Sequence, residues 1–309
     1  MAAPPCWHIL GFGAIGRLWA CHLARAGVSV SPVLHSAERL RTYPGHVTLC
    51  TDAGEAHFTL PGELATANTP IQQLLVATKS YATEAALAGV AQRLAPKAPI
   101  VLLHNGLGPQ QRVADAFAEH PVYAGTTTEG AYRDGGERLV HAGRGSSFFG
   151  PLNARARETG EAALEPLLTL PLEAHYDPAI LHRLWQKLAI NAAINGLTAV
   201  HDCANGELAR HPEYREAMAQ LCQETEELAC RLGQPLFETP LFDQALKVAE
   251  ATARNYSSML QDVRGGRPTE IDAINGYLCR EAERQGLALP AHQRLLEAVR
   301  ARHPNHHGD

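Results

Sequence analysis

Three polar residues recur at helical intervals in an apolar segment of the second half of the chain. Lys187, Asn191 and Asn195 are spaced four residues apart within residues 184–200, LWQKLAINAAINGLTAV. At about 100° per residue, a helix places all three along one line of its surface. Each would need a partner if buried, because an unpaired buried polar group costs about 1–3 kcal/mol. The line is either a structural seam that bonds to neighbouring backbone or a wall that binds a polar substrate, and the helix alone leaves both open.

A glycine-rich turn near the N-terminus has the spacing of a dinucleotide-binding motif. It consists of Gly11, Phe12, Gly13, Ala14, Ile15 and Gly16. Residues 7–10 precede it as an apolar strand, a helix follows it, and a second strand is predicted at 28–34, which is the context of a Rossmann unit. Gly11 permits the tight turn, Gly13 lets the backbone approach a pyrophosphate at the helix N-terminus, and Gly16 lets the helix pack on the strand. A turn that binds nothing is the alternative.

The residues after the second strand indicate the cofactor. An Asp or Glu at this point would bind the ribose hydroxyl of NAD. Here the strand ends at His35 and Ser36, and Arg39 and Arg41 follow, so donors rather than an acid would meet a 2′-phosphate. This favours NADP. Glu38 would supply the acid if the strand ran further, and any of these side chains could instead be solvated surface groups.

Two more polar residues follow predicted buried strands. Lys79 comes after the apolar run 74–78, and Asn105 comes after the run 100–103. In an open parallel sheet, ligands lie beyond the carboxyl ends of the strands, so both side chains would lie at the ligand-binding edge. The alternatives are an ordinary surface lysine and an Asn105-Gly106 turn.

Length, charge and cysteine content restrict the class of protein. A chain of 309 residues exceeds one compact core, so two domains are expected. The net charge of −5 argues against a nucleic-acid or acidic-membrane partner. Seven scattered cysteines without CxxC spacing favour reduced thiols in a cytoplasmic protein, and no metal site is expected. We recognise no signal peptide and no membrane-spanning segment.

The hydrophobic periodicity predicts an α/β Rossmann-type domain followed by an all-helical domain. We place an NADP-binding domain at 1–178, a helical substrate and catalytic domain at 179–304, and a disordered tail at 305–309. The predicted strands after the first two are 74–78, 100–103, 122–128 and 139–150, with a hairpin-bearing excursion at 42–69 and a turn at 133–136. The predicted helices include 151–170, 184–200, 213–231, 240–254 and 270–285.

Four motifs of the second half are specific. They are the Lys187/Asn191/Asn195 line, NGEL from Asn205, NYSSMLQD from Asn255 and PTEIDAING from Pro268. Together with GFGAIG, LLVATKSY, LLHNGLG and GTTTEGAYR, they make the chain resemble the ketopantoate reductase (2-dehydropantoate 2-reductase) family over nearly its whole length. GFGAIG alone would match many dehydrogenases.

The resemblance implies a role for each matched residue. The catalytic pair corresponds to Lys187 and Glu270. The substrate-binding residues correspond to Asn105, Asn191, Asn195, Asn205, Asn255 and Ser258, of which the serine would hold the substrate carboxylate. The cofactor-binding residues correspond to the GxGxxG with His35, Lys79, Asn105 and Glu270. The family also implies NADPH as reductant, a site in the cleft between the domains, and a helical domain that resembles the C-terminal domain of 6-phosphogluconate dehydrogenase.

The residue types agree with reduction of a small 2-keto acid. An ammonium at Lys187 can polarise the carbonyl and donate its proton as the alkoxide forms. Partial burial would lower its pKa, and a nearby Glu270 would oppose that shift. Asparagines both donate and accept, which suits a hydroxyl beside a ketone, and Ser258 can donate to a carboxylate. Taken alone, Glu270 would be read as the acid of a capped helix turn.

The sequence departs from the family pattern at two places, and it leaves two rival functions open. The family's usual arginine for the 2′-phosphate aligns at about His35, so the NADPH preference depends on His35, Ser36, Arg39 or Arg41. Asn195-Gly196 stands where some relatives place proline, which affects helix stiffness more than chemistry. The rivals for pantoate formation are a relative that reduces another small 2-keto acid and a non-catalytic NADPH-binding sensor. We expect a monomer or homodimer.

Overall fold

The computed structural model describes residues 6–302, and the chain forms two compact units. The first, which we call the α/β unit, contains the chain up to His104 and then Pro109–Ile180. The second, which we call the helical unit, contains Asn105–Gly108 and the chain from Leu181 onward. The predicted tail at 305–309 lies outside the described residues. The two units confirm the predicted fold class.

The central sheet of the α/β unit has eight strands, with all elements numbered here in chain order. Its strands are β1 (Trp7–Leu10), β2 (Val30–Leu34), β5 (Glu63–Leu64), β6 (Gln73–Val76), β7 (Ile100–Leu102), β8 (Val122–Thr127), β11 (Ser146–Pro151) and β12 (Glu173–Tyr176). Their order is β12-β11-β8-β7-β6-β1-β2-β5, and neighbours are parallel except for β8 and β11. The inner strands β1, β6 and β7 are mostly apolar because both faces of such a sheet are buried. The predicted strands at 7–10, 74–78 and 100–103 are confirmed.

A second, smaller sheet lies in the same unit. Its strands are β3 (His46–Thr51), β4 (Gly54–Thr59), β9 (Gly130–Arg133) and β10 (Arg138–Gly143), in the order β4-β3-β10-β9. The predicted excursion at 42–69 contains the β3–β4 hairpin, whose turn ends at Gly54 with φ +116°. The run 139–150 is not one strand, because it divides between β10 and β11 of different sheets after an irregularity between His141 and Gly143.

Short helices complete the α/β unit. They are α1 (Ala14–Arg25), α2 (Ala37–Thr42), α3 (Thr83–Val90), α4 (Pro109–Ala116), α5 (Ala154–Thr159) and α6 (Glu165–Leu168). The prediction of one helix at 151–170 was wrong. Gly160, at φ +68°, ends α5, and a 3-10 turn separates it from α6. A left-handed glycine is the usual end of a helix.

The helical unit consists of seven helices among the described residues. They are α7 (Ile180–His201), α8 (Asn205–Arg210), α9 (Pro212–Arg231), α10 (Leu241–Ala251), α11 (Ser258–Arg264), α12 (Asn275–Arg284) and α13 (Pro290–Ala301). The predicted helix at 270–285 is interrupted, because a 3-10 turn over Ile271–Ala273 precedes α12 and Ile274 leaves the helical region at ψ −90°. Within residues 6–302, no helix has the length and apolar character needed to cross a membrane.

A buried polar network joins four helices of this unit. His292 of α13 has no exposed surface. Its Nε2 lies 3.0 Å from the carbonyl oxygen of Leu221, which can only accept, so Nε2 carries the hydrogen. Its Nδ1 therefore accepts from Asn275 Nδ2 at 3.0 Å, and the same amide donates to Ala192 of α7 at 3.0 Å. The network connects α9, α12 and α13 to the helix that contains Lys187.

Candidate active site

Helix α7 presents the predicted line of polar residues on one edge. Lys187 and Asn191 are partly exposed, whereas Asn195 is buried with 7% of its surface exposed. Their neighbours Leu188 and Ala192 are buried, because they belong to the apolar side of the helix. Exposure along this edge thus decreases toward the C-terminal end of the helix, and Lys187 lies in its more exposed part.

Lys187 has an altered acidity. Burial lowers the pKa of Lys187 to about 8, and the Glu270 carboxylate acts in the opposite direction by favouring the charged ammonium. Both directions agree with the expectation from sequence. An amine whose pKa lies near the working pH can be charged before proton transfer and neutral after it.

Glu270 is held by the segment Asn105–Gly108, which belongs to the helical unit. Asn105 Nδ2 donates to Glu270 Oε2 at 3.2 Å, and only 5% of Glu270 is exposed. Leu107 N donates to the carbonyl oxygen of Ala273 at 2.8 Å, which fixes the segment on the turn that follows Glu270. Asn105, Glu270 and Lys187 are therefore parts of one compact unit, although Asn105 follows a strand of the other.

Gly106 makes this close approach possible. Its φ is +77°, and a Cβ at this position would lie 2.5 Å from the carbonyl oxygen of Ala273. Only glycine fits both the backbone angle and the space. The segment is therefore more than the ordinary Asn-Gly turn that sequence left as an alternative.

The helix-capping interpretation of Glu270 is not supported. Glu270 precedes the short 3-10 turn, and its side chain makes no capping hydrogen bond to that turn. The helix α12 begins later, at Asn275. A buried carboxylate that makes no capping hydrogen bond and raises the pKa of a lysine is typical of a functional site rather than a helix end.

Asn205 begins α8 and ties it to the chain after α10. Its Nδ2 donates to Thr252 Oγ1 at 2.8 Å, and its backbone N donates to the carbonyl oxygen of Asn255 at 2.9 Å. Asn205 Oδ1 is buried without a hydrogen-bond partner among residues 6–302. The side-chain nitrogen of Asn205 thus stabilises the fold, while its side-chain oxygen can still accept a hydrogen bond.

Ser258 and the neighbouring Ser257 have different environments. Ser257 is buried, accepts from Leu260 N at 3.1 Å to cap α11, and accepts from Thr198 Oγ1 at 2.7 Å. Ser258 is the first residue of α11 and is exposed, as is Asn255. Ser257, which sequence reasoning did not single out, therefore fixes the start of the helix, and Ser258 remains available to a ligand.

The glycine turn fits a dinucleotide. A Cβ on Gly11 would lie 2.4 Å from Thr78 N, and one on Gly16 would lie 2.1 Å from the carbonyl oxygen of Gly11. Gly13, by contrast, is exposed and has open space where a Cβ would be. Gly13 is the N-cap of α1 and no side chain caps that helix, so the first N–H groups of α1 can bind a pyrophosphate.

Beyond the second strand, the structure separates the candidates for cofactor choice. The strand β2 ends at Leu34, so Glu38 lies in the first turn of α2 rather than at the strand end. His35 is exposed, and Ser36 caps α2 by accepting from Arg39 N at 3.1 Å. The alternative in which Glu38 supplies the ribose-binding acid is therefore not supported.

Lys79 lies where the sequence placed it, just beyond the carboxyl end of β6. It is partly exposed, and its carbonyl oxygen accepts from Thr83 Oγ1 at 3.3 Å at the start of the following helix. Sequence reasoning missed Arg17 and Glu137, which form an ion pair in the α/β unit. Arg17 directly follows the glycine motif, but Glu137 has no local signal because its partners are distant in sequence.

Comparison with known proteins gives matches over almost the whole chain. A family model described as ketopantoate reductase PanE/ApbA matches residues 7–154, and one described as ketopantoate reductase PanE/ApbA C terminal matches residues 179–303. The chain is 36% identical to a 2-dehydropantoate 2-reductase of Shigella flexneri over 298 residues, which covers 94% of this chain and 93% of that protein.

Solved structures share the fold. A PanE/ApbA family ketopantoate reductase from Ralstonia eutropha JMP134 has a TM-score of 0.84 at 24% identity, over 97% of this chain and 98% of that one. A D-mandelate dehydrogenase in a ternary structure with NADH and anilino(oxo)acetate has a TM-score of 0.83 at 23% identity, over 97% and 98%. At these identities the likeness concerns the fold.

Proposed function

The chain belongs to the ketopantoate reductase family of oxidoreductases, and from this premise we propose that it reduces 2-dehydropantoate to pantoate with NADPH, using Lys187 as the general acid. The observation that carries the proposal is the arrangement in the helical unit, where Lys187 has a pKa of about 8 and a buried Glu270 is held by Asn105. The reaction would belong to the cytoplasmic synthesis of pantothenate.

The glycine turn would hold the dinucleotide, with Gly13 beneath the pyrophosphate and Lys79 at the neighbouring strand end. When bound, the reduced nicotinamide supplies the hydride for the ketone carbon. The chain's own residues must then stabilise negative charge on the carbonyl oxygen and deliver a proton to it.

Lys187 performs both tasks in this proposal. As an ammonium it polarises the carbonyl, and Nζ transfers its proton to the oxygen as the alkoxide forms. The neutral amine left behind regains a proton from solvent, which the partial exposure of Lys187 permits. Glu270 keeps the amine charged in the resting state by its negative charge, and Asn105 keeps the carboxylate oriented.

The remaining polar residues would orient the substrate. Asn191 and Asn195 extend the line from Lys187 along α7, and the free Oδ1 of Asn205 can accept from a hydroxyl. Ser258, exposed at the start of α11, would donate to the carboxylate, with Asn255 nearby in the chain. Uncharged donors hold an acid less tightly than an arginine would, which favours product release.

The test is the oxidation of NADPH with 2-dehydropantoate, in parallel with NADH and with other small 2-keto acids. Rapid turnover of 2-dehydropantoate that is faster with NADPH supports the proposal. Turnover of only a different 2-keto acid would change the proposed substrate but keep the proposed role of Lys187 as general acid. Binding of NADPH without turnover of any acid would overturn the enzyme proposal in favour of the sensor.

A further inference from the structure

A cluster of charged side chains lies beside the glycine turn in the α/β unit. Arg17 and Arg39 both contact the carboxylate of Glu137, Arg39 Nη2 at 2.9 Å from Oε1 and Arg17 through Oε2. The side chain of Arg17 has no exposed surface, that of Glu137 is 10% exposed and that of Arg39 is 25% exposed. Arg39 is therefore the partner in this ion-paired group that a ligand in solution can reach most easily.

The cluster is connected to the glycine turn through a closed series of contacts. Arg17 Nε donates to the carbonyl oxygen of Phe12 at 3.1 Å, and its guanidinium lies 4.8 Å from the Phe12 ring. The Phe12 ring packs edge-on against Tyr43 at 5.6 Å, and Arg39 lies 5.6 Å from that same Tyr43 ring. Phe12 stands between the first two glycines of the motif, so Arg39 is held next to the turn that would bind the dinucleotide.

The cluster carries more positive than negative charge. Burial is the main factor that lowers the pKa of Arg133 on the neighbouring strand β9, and the positive charges of Arg17 and Arg39 lower it further. Arg17 Nη2 is buried without a hydrogen-bond partner among the residues that the structure describes. The two guanidiniums of Arg17 and Arg39 against the one carboxylate of Glu137 leave an excess of positive charge that a second anion would balance.

Position distinguishes Arg39 from the other candidates. His35 is exposed, and an imidazole offers at most two N–H donors to a phosphate, whereas a guanidinium offers five in a fixed fork. Arg41 is exposed and lies two residues further along α2, about 200° around the helix from Arg39. Ser36 is the N-cap of α2, and its hydroxyl hydrogen can still be donated.

We propose that Arg39, positioned by Glu137 beside the glycine turn, is the residue of this chain that binds the cofactor's 2′-phosphate and selects NADPH. The inference rests on the proposed dinucleotide function. A guanidinium binds a phosphate through paired, charge-assisted hydrogen bonds, and Glu137 fixes its orientation before the ligand arrives. Arg39 would thus supply the contact to the 2′-phosphate that the sequence left open among His35, Ser36, Arg39 and Arg41.

The test measures binding of two nucleotides that need no keto acid. Calorimetry compares 2′,5′-ADP with AMP, which lacks the 2′-phosphate, on the full chain. We expect the wild type to prefer 2′,5′-ADP, and Arg39→Ala to weaken binding of 2′,5′-ADP by about 10- to 100-fold, since the variant loses charge-assisted hydrogen bonds to the phosphate. Binding of AMP should stay unchanged. The test uses no substrate assay. The inference about Arg39 can therefore fail while the proposed ketopantoate reduction holds, and the proposed reduction can fail while the inference about Arg39 holds.

Arg41→Ala is the matched control, because it removes an arginine from the same short helix outside the cluster, and His35→Ala tests the aligned position. Arg41→Ala should bind 2′,5′-ADP as the wild type does, and His35→Ala should lose less affinity for 2′,5′-ADP than Arg39→Ala. The proposal is overturned if Arg39→Ala binds 2′,5′-ADP as tightly as the wild type, or if its affinity for AMP falls by the same factor. It is also overturned if His35→Ala, rather than Arg39→Ala, loses affinity for 2′,5′-ADP. If Arg39→Ala does not fold, Arg39→Lys serves instead and should retain AMP while losing part of the preference for 2′,5′-ADP.

Discussion

Lys187 combines two properties that conflict in most lysines. It lies on an apolar helix whose surroundings disfavour its charge, yet Glu270 keeps that charge available. Desolvation lowers the pKa of Lys187 toward neutral pH, and the Glu270 carboxylate prevents a larger decrease of that pKa. The proposed role as general acid depends on this balance rather than on the presence of a lysine alone.

Replacement of Lys187 by alanine should lower kcat by about 10²–10⁴, the usual contribution of a general acid. Binding of NADPH, measured by its fluorescence, should persist because the glycine turn belongs to the α/β unit. Lys247→Ala, which removes an exposed lysine of α10, is the control and should keep full activity. Normal turnover by the Lys187 variant would remove the residue from the mechanism.

Glu270→Gln should move the basic limb of the pH profile. Lys187 must be protonated, so kcat should fall as pH rises through a value near its pKa of about 8. Glu270 raises that pKa, and its neutralisation should therefore shift the fall in kcat to lower pH. Glu270→Asp keeps the charge and should leave the limb closer to its original position. An unshifted limb in Glu270→Gln would show that the two groups do not interact during catalysis.

At the scale of elements, the segment Asn105–Gly108 determines whether Glu270 is held. The segment leaves strand β7 and docks through Leu107 on the 3-10 turn of the helical unit. Its contact depends on a glycine, because no side chain fits between the segment and Ala273. A change in the backbone of this segment should therefore displace the Glu270 carboxylate without altering any group that is proposed to react.

Gly106→Ala should lower kcat/KM and stability together. Alanine at φ +77° costs about 1–2 kcal/mol from its backbone conformation, and its Cβ would also collide with the carbonyl oxygen of Ala273. Gly135→Ala is a matched control, because Gly135 has φ +69° but open space around it. Urea unfolding measures the loss of stability in both variants, and steady-state kinetics measures the loss of kcat/KM. Equal activity in the two variants would contradict a positioning role for the segment.

At the scale of the whole molecule, each unit buries a histidine that must stay neutral. Burial lowers the pKa of His22 in the α/β unit and of His292 in the helical unit to about 4. An unfolded histidine has a pKa of about 6.5, so the unfolded chain binds more protons than the folded chain between these values. Stability from these groups is complete above pH 6.5 and is lost as the pH falls toward 4.

The free energy of unfolding should therefore decrease by up to about 3 kcal/mol per buried histidine between pH 6.5 and 4. His292→Gln removes the titrating group and should flatten this dependence, although the variant is less stable at neutral pH because it breaks the network with Asn275. His46→Gln alters an exposed histidine and is the control. Denaturant unfolding at several pH values is the measurement, and an unchanged slope in His292→Gln would refute the assignment.

Local patterns in the sequence determined the elements and the family. Continuous apolar runs identified the buried strands, since both faces of a parallel sheet are covered, and helical spacing placed Lys187, Asn191 and Asn195 on one edge. The matched motifs predicted the ketopantoate reductase family, which the family models and the relatives confirm. The sequence also indicated that the residues after β2 decide the cofactor, but it left four candidates there.

The tertiary structure decided what depends on distant contacts. Asn105 and Glu270 are 165 residues apart, and Arg39 and Glu137 are 98 apart, so no window of sequence contains either pair. The same limit explains the broken helices, because the periodicity at 151–170 and 270–285 does not reveal where a chain must turn to meet its neighbours. Patterns of a few residues report burial and secondary structure, whereas the pairing of charges follows from packing, which only the folded chain supplies.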